Sequence, residues 1–354
     1  LPRSPRDKLR VAASYSSAIV GRRPKVSVCI PSYNAAAFLP AAIDSVLSQT
    51  FSDFELVVSD DASDDETPSI CRKYVDPRFR ANRSDRRLGQ AGNWNRCLEL
   101  ASGEYVILLH ADDQLLPGYL ERAVAIFDAN EDVGLVHCAV RHVDEAGQPL
   151  ILQRLFSDDR IDRDGKTLRH LLLDGCVISP AGVTVRRTVY ERVGRFTDRI
   201  VWGVDWHMWI RIALRSSIAY LSDPLALYRD HAQSGTAAVM ASGRNARDER
   251  WAIEDLFELI DSARPELRAL KPDAVRGVAH RTWCFAETMC ARGEMAAARA
   301  GIRNAIQIWP GMLGESRTWA LWAATFAGYR SFAAAHTRKQ KLAKMLSRGV
   351  HADR

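Results

Sequence analysis

Between Lys25 and Val140 the apolar residues switch repeatedly between strand-like runs and a helical spacing. "KVSVCIPSYN" (Lys25–Asn34) is a β-branched run that ends in a Pro–Ser–Tyr–Asn turn. "AAAFLPAAIDSVLSQT" then sets Phe38, Ile43, Val46 and Leu47 at helical spacing. A second strand, Phe54 to Ser59, closes in an acidic turn, and "DDETPSICRKYV" opens another helix with acids and Pro68 near its first turn. A helix from about Gly92 to Ala101, ended by Gly103, leads into a buried strand from Tyr105 to Leu109. "LPGYLERAVAIFDAN" predicts the next helix and "VGLVHCAV" the next strand. Strands alternating with helices predict an α/β fold: a mostly parallel, mixed sheet with helices on both faces.

From Asp158 to Thr236 the pattern loosens into an α+β region, and beyond Arg244 everything has helical spacing. "AHRTWCFAETMCARGEMAAARAGIRNAIQIWP" predicts one helical hairpin with small residues at the crossing, like a single tetratricopeptide-like unit; a lone unit of this kind needs a neighbour to pack on. The chain divides accordingly into a basic, flexible leader (1–24), a main domain (25–240) and a helical C-terminal region (241–354). The tail places Trp319, Leu321, Trp322, Phe326, Tyr329 and Phe332 ahead of Arg338, Lys339, Lys341, Lys344 and Arg348. Two readings fit it: a terminal helix packed on the domain with a solvated basic end, or an amphipathic anchor on a membrane surface.

Composition adds bounds. With 354 residues, 47% apolar and 26% charged, the chain has an ordinary globular balance and room for a large domain plus an appendage. A net charge of +6 suits anionic ligands or an anionic surface without establishing either. Seven cysteines, none in a CxxC pair and most within apolar runs, predict reduced thiols in a cytoplasmic protein. No apolar segment follows the basic N-terminus, so no signal peptide is expected. No stretch of about 20 uninterrupted apolar residues predicts a spanning helix.

The chemistry gathers at strand ends, where ligands bind in such sheets. Ser32–Asn34, Asp60–Asp61 and Asp112–Asp113 all fall there. In "LLHADDQ" a buried strand runs into two adjacent carboxylates, which repel unless water, a cation or a donor neutralises them. Taken singly, each feature has a plainer explanation: a solvated turn for Asp112–Asp113, a core-edge aromatic for Tyr33, turn formers for Asp60 and Asp61.

Four segments in order, "VSVCIPSYNAAAFLPAAIDSVLSQTFSDFELVVSDDASDD", "LGQAGNWNRCLELASGEYVILLHADD", "VDWHMWIRIA" and "LYRDH…S", give residues 25–236 a specific resemblance. They resemble an inverting family 2 glycosyltransferase with the GT-A fold. The resemblance implies a nucleoside diphosphate sugar donor, UDP- or dTDP-linked by preference, and a saccharide or lipid-linked saccharide acceptor in cell-surface polysaccharide synthesis. It implies Mn2+ or Mg2+ as cofactor, with Asp113 as direct ligand and His231 completing the cation site or touching a phosphate. Asp112 is implied at the ribose or a metal-bound water, Tyr33 and Asp61 at the base, and Pro31 and Asn34 in the same wall. Asn95 matches an asparagine facing the donor, whereas Trp94 stands where many relatives have arginine; Arg86, Arg87 or Arg96 would then supply that charge. Asp205 matches the general base, an N-cap role being the alternative. His110 is expected as strand-end filler, and Ser179–Gly182 as a loop lining the acceptor side. The implied location is cytoplasmic, with peripheral contact at the inner membrane face if the tail is an anchor, and no nucleic acid is expected as partner.

Other classes fit less well. A nucleotidyltransferase or a nicotinamide dehydrogenase would carry a glycine-rich turn after the first strand, where this chain has "PSYNAAAF". A catalytically degenerate nucleotide-sugar-binding scaffold acting through its helical C-terminal region is the remaining alternative, disfavoured by the presence of Asp61, Asp112, Asp113, Asp205 and His231.

Overall fold

The computed structural model describes residues 23–231, 239 and 244–327. All but the end of the basic leader, and the basic tail with Arg338 to Arg348, lie outside the described residues. The chain divides into two compact units, one holding residues up to 231 except 173–175, the other holding 173–175 and the rest.

The first unit is built on ten strands: β1 (Val26–Ser32), β2 (Phe54–Asp60), β3 (Phe79–Arg83), β4 (Tyr105–Leu108), β5 (Gln114–Leu115), β6 (Val133–Val143), β7 (Pro149–Gln153), β8 (Arg160–Asp162), β9 (Val183–Arg186) and β10 (Ser217–Arg229). They form one sheet in the order β3-β2-β1-β4-β9-β6-β10-β5, with β7 on β6 and β8 on β10. Pairs β1/β2, β1/β4, β2/β3 and β6/β10 are parallel. Strand β9 lies antiparallel between β4 and β6, so β6 and β10 point the same way as β1–β4. The mostly parallel sheet predicted from the alternation is present, and its carboxyl ends share one edge. The added strands β5, β7, β8 and β9 are short and antiparallel. Of these, β5, β7 and β8 lie at the margins of the sheet, held by pairing with one neighbour each, whereas β9 is buried within it between β4 and β6.

Helices α1 (Leu39–Leu47), α2 (Thr67–Cys71), α3 (Gly89–Leu100), α4 (Tyr119–Ala129), α5 (Lys166–Leu173), α6 (Arg187–Val193) and α7 (Val204–Ala213) accompany the sheet. The apolar face of α1 (Leu39, Ala42, Ile43, Val46) and that of α4 (Tyr119, Leu120, Ala123, Phe127) are buried in one core with Val28, Ile30, Leu56, Val58 and Ile107. Each of the Val, Leu, Ile and Phe side chains contributes about 1.5–3 kcal/mol on burial. Helix α3 starts at Gly89, earlier than its apolar spacing suggests, and the reason is tertiary. Asp61, from the end of β2, accepts the Leu88 amide at 2.6 Å and the Gly89 amide at 2.9 Å, capping the helix from another element.

In the second unit, α8 (Arg244–Ala263), α9 (Lys271–Ala291), α10 (Met295–Ile308) and α11 (Ser316–Ala327) are helical, as the spacing predicts. The α9/α10 hairpin buries Ala279, Trp283, Ala286, Cys290, Ala298, Ile302 and Ala305. A Cβ on Gly301 would lie 2.8 Å from that of Ala286, so the small residues do set this crossing. None of the seven cysteines is in a disulfide. Among the described residues no helix is long and apolar enough to cross a membrane.

Candidate active site

The ends of β1 and β2 are stitched into one wall. Asn34 sits at φ 48°, its amide donates to Ser63 Oγ at 2.9 Å, and its Oδ1 accepts the Asp64 amide at 3.0 Å. Ala35 and Ala36 donate to Thr67 Oγ1 and Asp65 Oδ2 at 3.0 and 2.9 Å. Pro31, register partner of Ser59, lies in β1 beneath this turn. Tyr33 is exposed, and the Arg87 guanidinium lies over its ring at 3.5 Å from the centroid. Of the three candidate arginines, Arg87 is thus the one against Tyr33, whereas Arg96 donates to Asn82. The buried Asp61 carboxylate holds the two α3 amides and retains further lone pairs, since a carboxylate offers about four acceptor sites.

Beneath this wall is a residue that the sequence pattern does not single out. Asn93 is buried, accepts the Ser59 hydroxyl at 2.7 Å and donates to the carbonyls of Ser59 and Ser32 at 3.0 and 3.3 Å. It locks the two strand ends together. One of the two asparagines in "GNWNR" carries no sequence signal for that.

At the end of β4 the two carboxylates separate into different surroundings. Strand β5 pairs Gln114 with Leu227 of β10, and the preceding Asp113 extends that ladder through its side chain: Oδ1 accepts the Arg229 amide at 3.0 Å. Asp113 is 1% exposed, and its Oδ2 has no hydrogen-bond partner among the described residues. Burial, then the neighbouring charge of Asp112, raises its carboxyl well above the usual range. A buried anion without a donor on one oxygen is unfavourable unless a cation or proton meets it. Asp112 is less buried and its Oδ2 lies 2.9 Å from His231 Nε2. One ligand atom each from His110, Asp112 and Asp113 lie within 4.8 Å of one another, so these three residues can hold a divalent cation.

His110, expected as strand-end filler, stands in this cluster. Its Nδ1 is 3.8 Å from Asp113 Oδ2, and its ring stacks on Trp94 at 5.2 Å and 27°. His231, expected at the cation, reaches the cluster through Asp112; its ring packs on Phe38 at 4.6 Å. Arg229 organises both sides. Its side chain donates to the carbonyls of Asp112, Asp144 and Glu145 at 3.2, 3.1 and 2.9 Å, so its guanidinium is engaged by main chain.

Helix α7 carries Asp205 in its first turn. The N-cap is Gly203, at φ 72°, so Asp205 is not the capping residue. Val204, Trp206, Met208, Trp209, Ile210 and Ile212 are buried around the helix, and Trp206 Nε1 donates to the Leu171 carbonyl at 2.7 Å. Asp205 Oδ1 accepts the Trp206 amide at 2.8 Å, and the Cys176 thiol donates to Oδ2 at 3.7 Å. Burial raises the Asp205 carboxyl above its ordinary value, against the pull of the Trp206 amide, His110 and Cys176. His207, on the same helix, is buried.

Two expected contacts are otherwise engaged. The Asn95 carboxamide donates to the Phe196 carbonyl and accepts the Phe196 amide, both at 2.9 Å, clamping the loop before α7. Gly182 is buried, and a Cβ there would meet Cys138 Sγ at 2.3 Å, so packing against Cys138 by itself requires its small size.

Comparison with known proteins decides what this edge belongs to. The profile described as Glycosyl transferase family 2 matches residues 27–194. An uncharacterized glycosyltransferase of Nostoc sp. is 31% identical over 249 residues, 65% of this chain and 72% of the relative. The chain belongs to glycosyl transferase family 2. The transferase is also 28% identical, over 70% of its own length and 77% of the relative's, to the GalNAc(5)-diNAcBac-PP-undecaprenol beta-1,3-glucosyltransferase of Campylobacter jejuni. Among solved structures, a mannosyltransferase from Pyrobaculum calidifontis in complex with GDP-Man and Mn2+ superposes with a TM-score of 0.55 at 21% identity, covering 94% of this chain and 89% of that one. The transferase thus has the GT-A architecture that the four sequence segments imply.

Proposed function

We propose that this glycosyltransferase is an inverting, metal-dependent enzyme. It moves a sugar from a nucleoside diphosphate, UDP or dTDP by preference, to a saccharide or lipid-linked saccharide of the cell surface. The observation that carries this reading is the buried Asp113 Oδ2, without a hydrogen bond among the described residues, beside His110 and Asp112. That donor set fits a hard or borderline divalent ion, Mn2+ or Mg2+. When bound there, the ion neutralises charge that develops on the diphosphate leaving group.

The chain's own residues do the rest. Tyr33 and Asp61 face the base, with Pro31 and Asn34 as the wall; Asp61 has lone pairs left to accept a ring N–H, as uracil and thymine present. Asp112, held by His231, meets the ribose. Asp205, held rigid by the buried face of α7, accepts the proton of the acceptor hydroxyl as that oxygen attacks the anomeric carbon opposite the diphosphate. Its raised carboxyl keeps it basic enough for that step. Asn95 acts behind the donor by fixing the Phe196 loop. The lipid-linked acceptor is supported by the Campylobacter jejuni relative's name, and peripheral contact with the inner membrane face by the basic tail.

Calorimetric titration with UDP, with and without Mn2+, tests the reading. UDP binding should strengthen with the cation and lose that dependence in Asp113→Ala. Binding that ignores both the cation and the substitution overturns it.

A further inference from the structure

We infer that His110 is a nitrogen ligand of the cation and makes this transferase prefer Mn2+ to Mg2+. The inference rests on the donor-and-cation reading above and adds a residue and a selectivity to it. His110 Nδ1 and Asp113 Oδ2 are 3.8 Å apart, too far for a hydrogen bond. Two ligands of one ion at about 2.1 Å each lie up to about 4.2 Å apart, so the spacing suits a shared ion. The Asp113 oxygen facing the histidine is the buried one with no hydrogen-bond partner among the described residues.

The imidazole is also held in place. Trp94 lies against its face, Phe196 meets Trp94 edge-on at 5.1 Å and 81°, and Asn95 clamps the Phe196 backbone. A chain of packed groups thus fixes one ring orientation, which a flexible filler residue would not need. The position of Trp94, unsuited to bind phosphate as arginine would, is explained by this support. Imidazole is a poor ligand for Mg2+, which takes oxygen donors, and an acceptable one for Mn2+ and later transition ions.

The test is Mn2+ binding to the full chain in the presence of UDP, read by pulsed electron paramagnetic resonance for a directly bound nitrogen. Competition with Mg2+ is measured in parallel. The wild type should show the nitrogen coupling; His110→Gln should lose it and bind Mn2+ about tenfold more weakly or worse. His231→Gln should keep the coupling. His110→Asp, which swaps nitrogen for oxygen, should still bind Mn2+ but lose about tenfold of its preference over Mg2+. No nitrogen coupling in the wild type, or coupling that survives in His110→Gln, overturns the inference. If Asp113→Ala still abolishes Mn2+ binding in that case, the parent reading stands. A wild type that binds no Mn2+ with UDP present overturns both.

Discussion

At neutral pH the Asp205 carboxylate sits where burial disfavours its charge, and its chemistry and its effect on stability therefore oppose each other. A folded-state pKa above the unfolded value means that the native chain holds the proton more tightly. Stability then declines as pH rises through that range, and the ionised group destabilises the fold above it. Asp205→Asn should raise the melting temperature at neutral pH while lowering kcat by about 10²–10⁴-fold. Calorimetric melts and transfer assays on the same preparation check both. In the wild type, kcat/KM should fall on the acid side with a midpoint above that of an ordinary aspartate, since the base works only when ionised. A flat acid limb would remove Asp205 from the role. Beside it, exposed Cys176 lies 3.7 Å from Oδ2. Iodoacetamide should inactivate the wild type by adding bulk next to the base, whereas Cys176→Ala should resist the reagent.

At the scale of elements, the site depends on tethers between segments distant in sequence. Asp61 caps α3 from β2, Asn95 ties α3 to the loop before α7, and Arg229 ties β10 to both Asp112 and the β6–β7 hairpin. Asn95→Ala removes two hydrogen bonds, each contributing about 0.5–1.5 kcal/mol. Urea melts should register that loss, and the slackened Phe196 loop should also weaken Mn2+ binding through Trp94 and His110. Gly182→Ala forces a methyl to within 2.3 Å of Cys138 Sγ. It should destabilise by about 1–3 kcal/mol, and the double change with Cys138→Ala should recover part of this.

Across the whole molecule, ligand linkage should be visible as stability. With Mn2+ present and UDP at about a hundred times its dissociation constant, UDP binding alone stabilises the native state by about 2.7 kcal/mol. The melting temperature should rise accordingly, and Asp113→Ala should abolish the rise that depends on the cation. The full chain, with its net charge of +6 and basic tail, should sediment with anionic vesicles at low salt and release as salt rises. Deleting 328–354, which removes the whole net positive charge, should abolish sedimentation, and sedimentation that survives the deletion would show that the tail is not the anchor.

The sequence by itself determined the alternation of β1, β2, β4 and β6 with their helices, the helical character beyond Arg244, and the strand ends that carry Asp61 and Asp112–Asp113. These are local properties: period, turn chemistry and the order of motifs survive in a linear string. Only the tertiary structure decided which partner each polar atom takes. It made the neighbours Asp112 and Asp113 unlike, one facing His231 and the other buried on the β10 amide. It turned Asn95 inward to a loop, drew Asn93 under two strands and brought His110 between Trp94 and Asp113. Hydrogen bonds and burial across more than a hundred residues depend on sheet order and register, and no spacing along the chain records those.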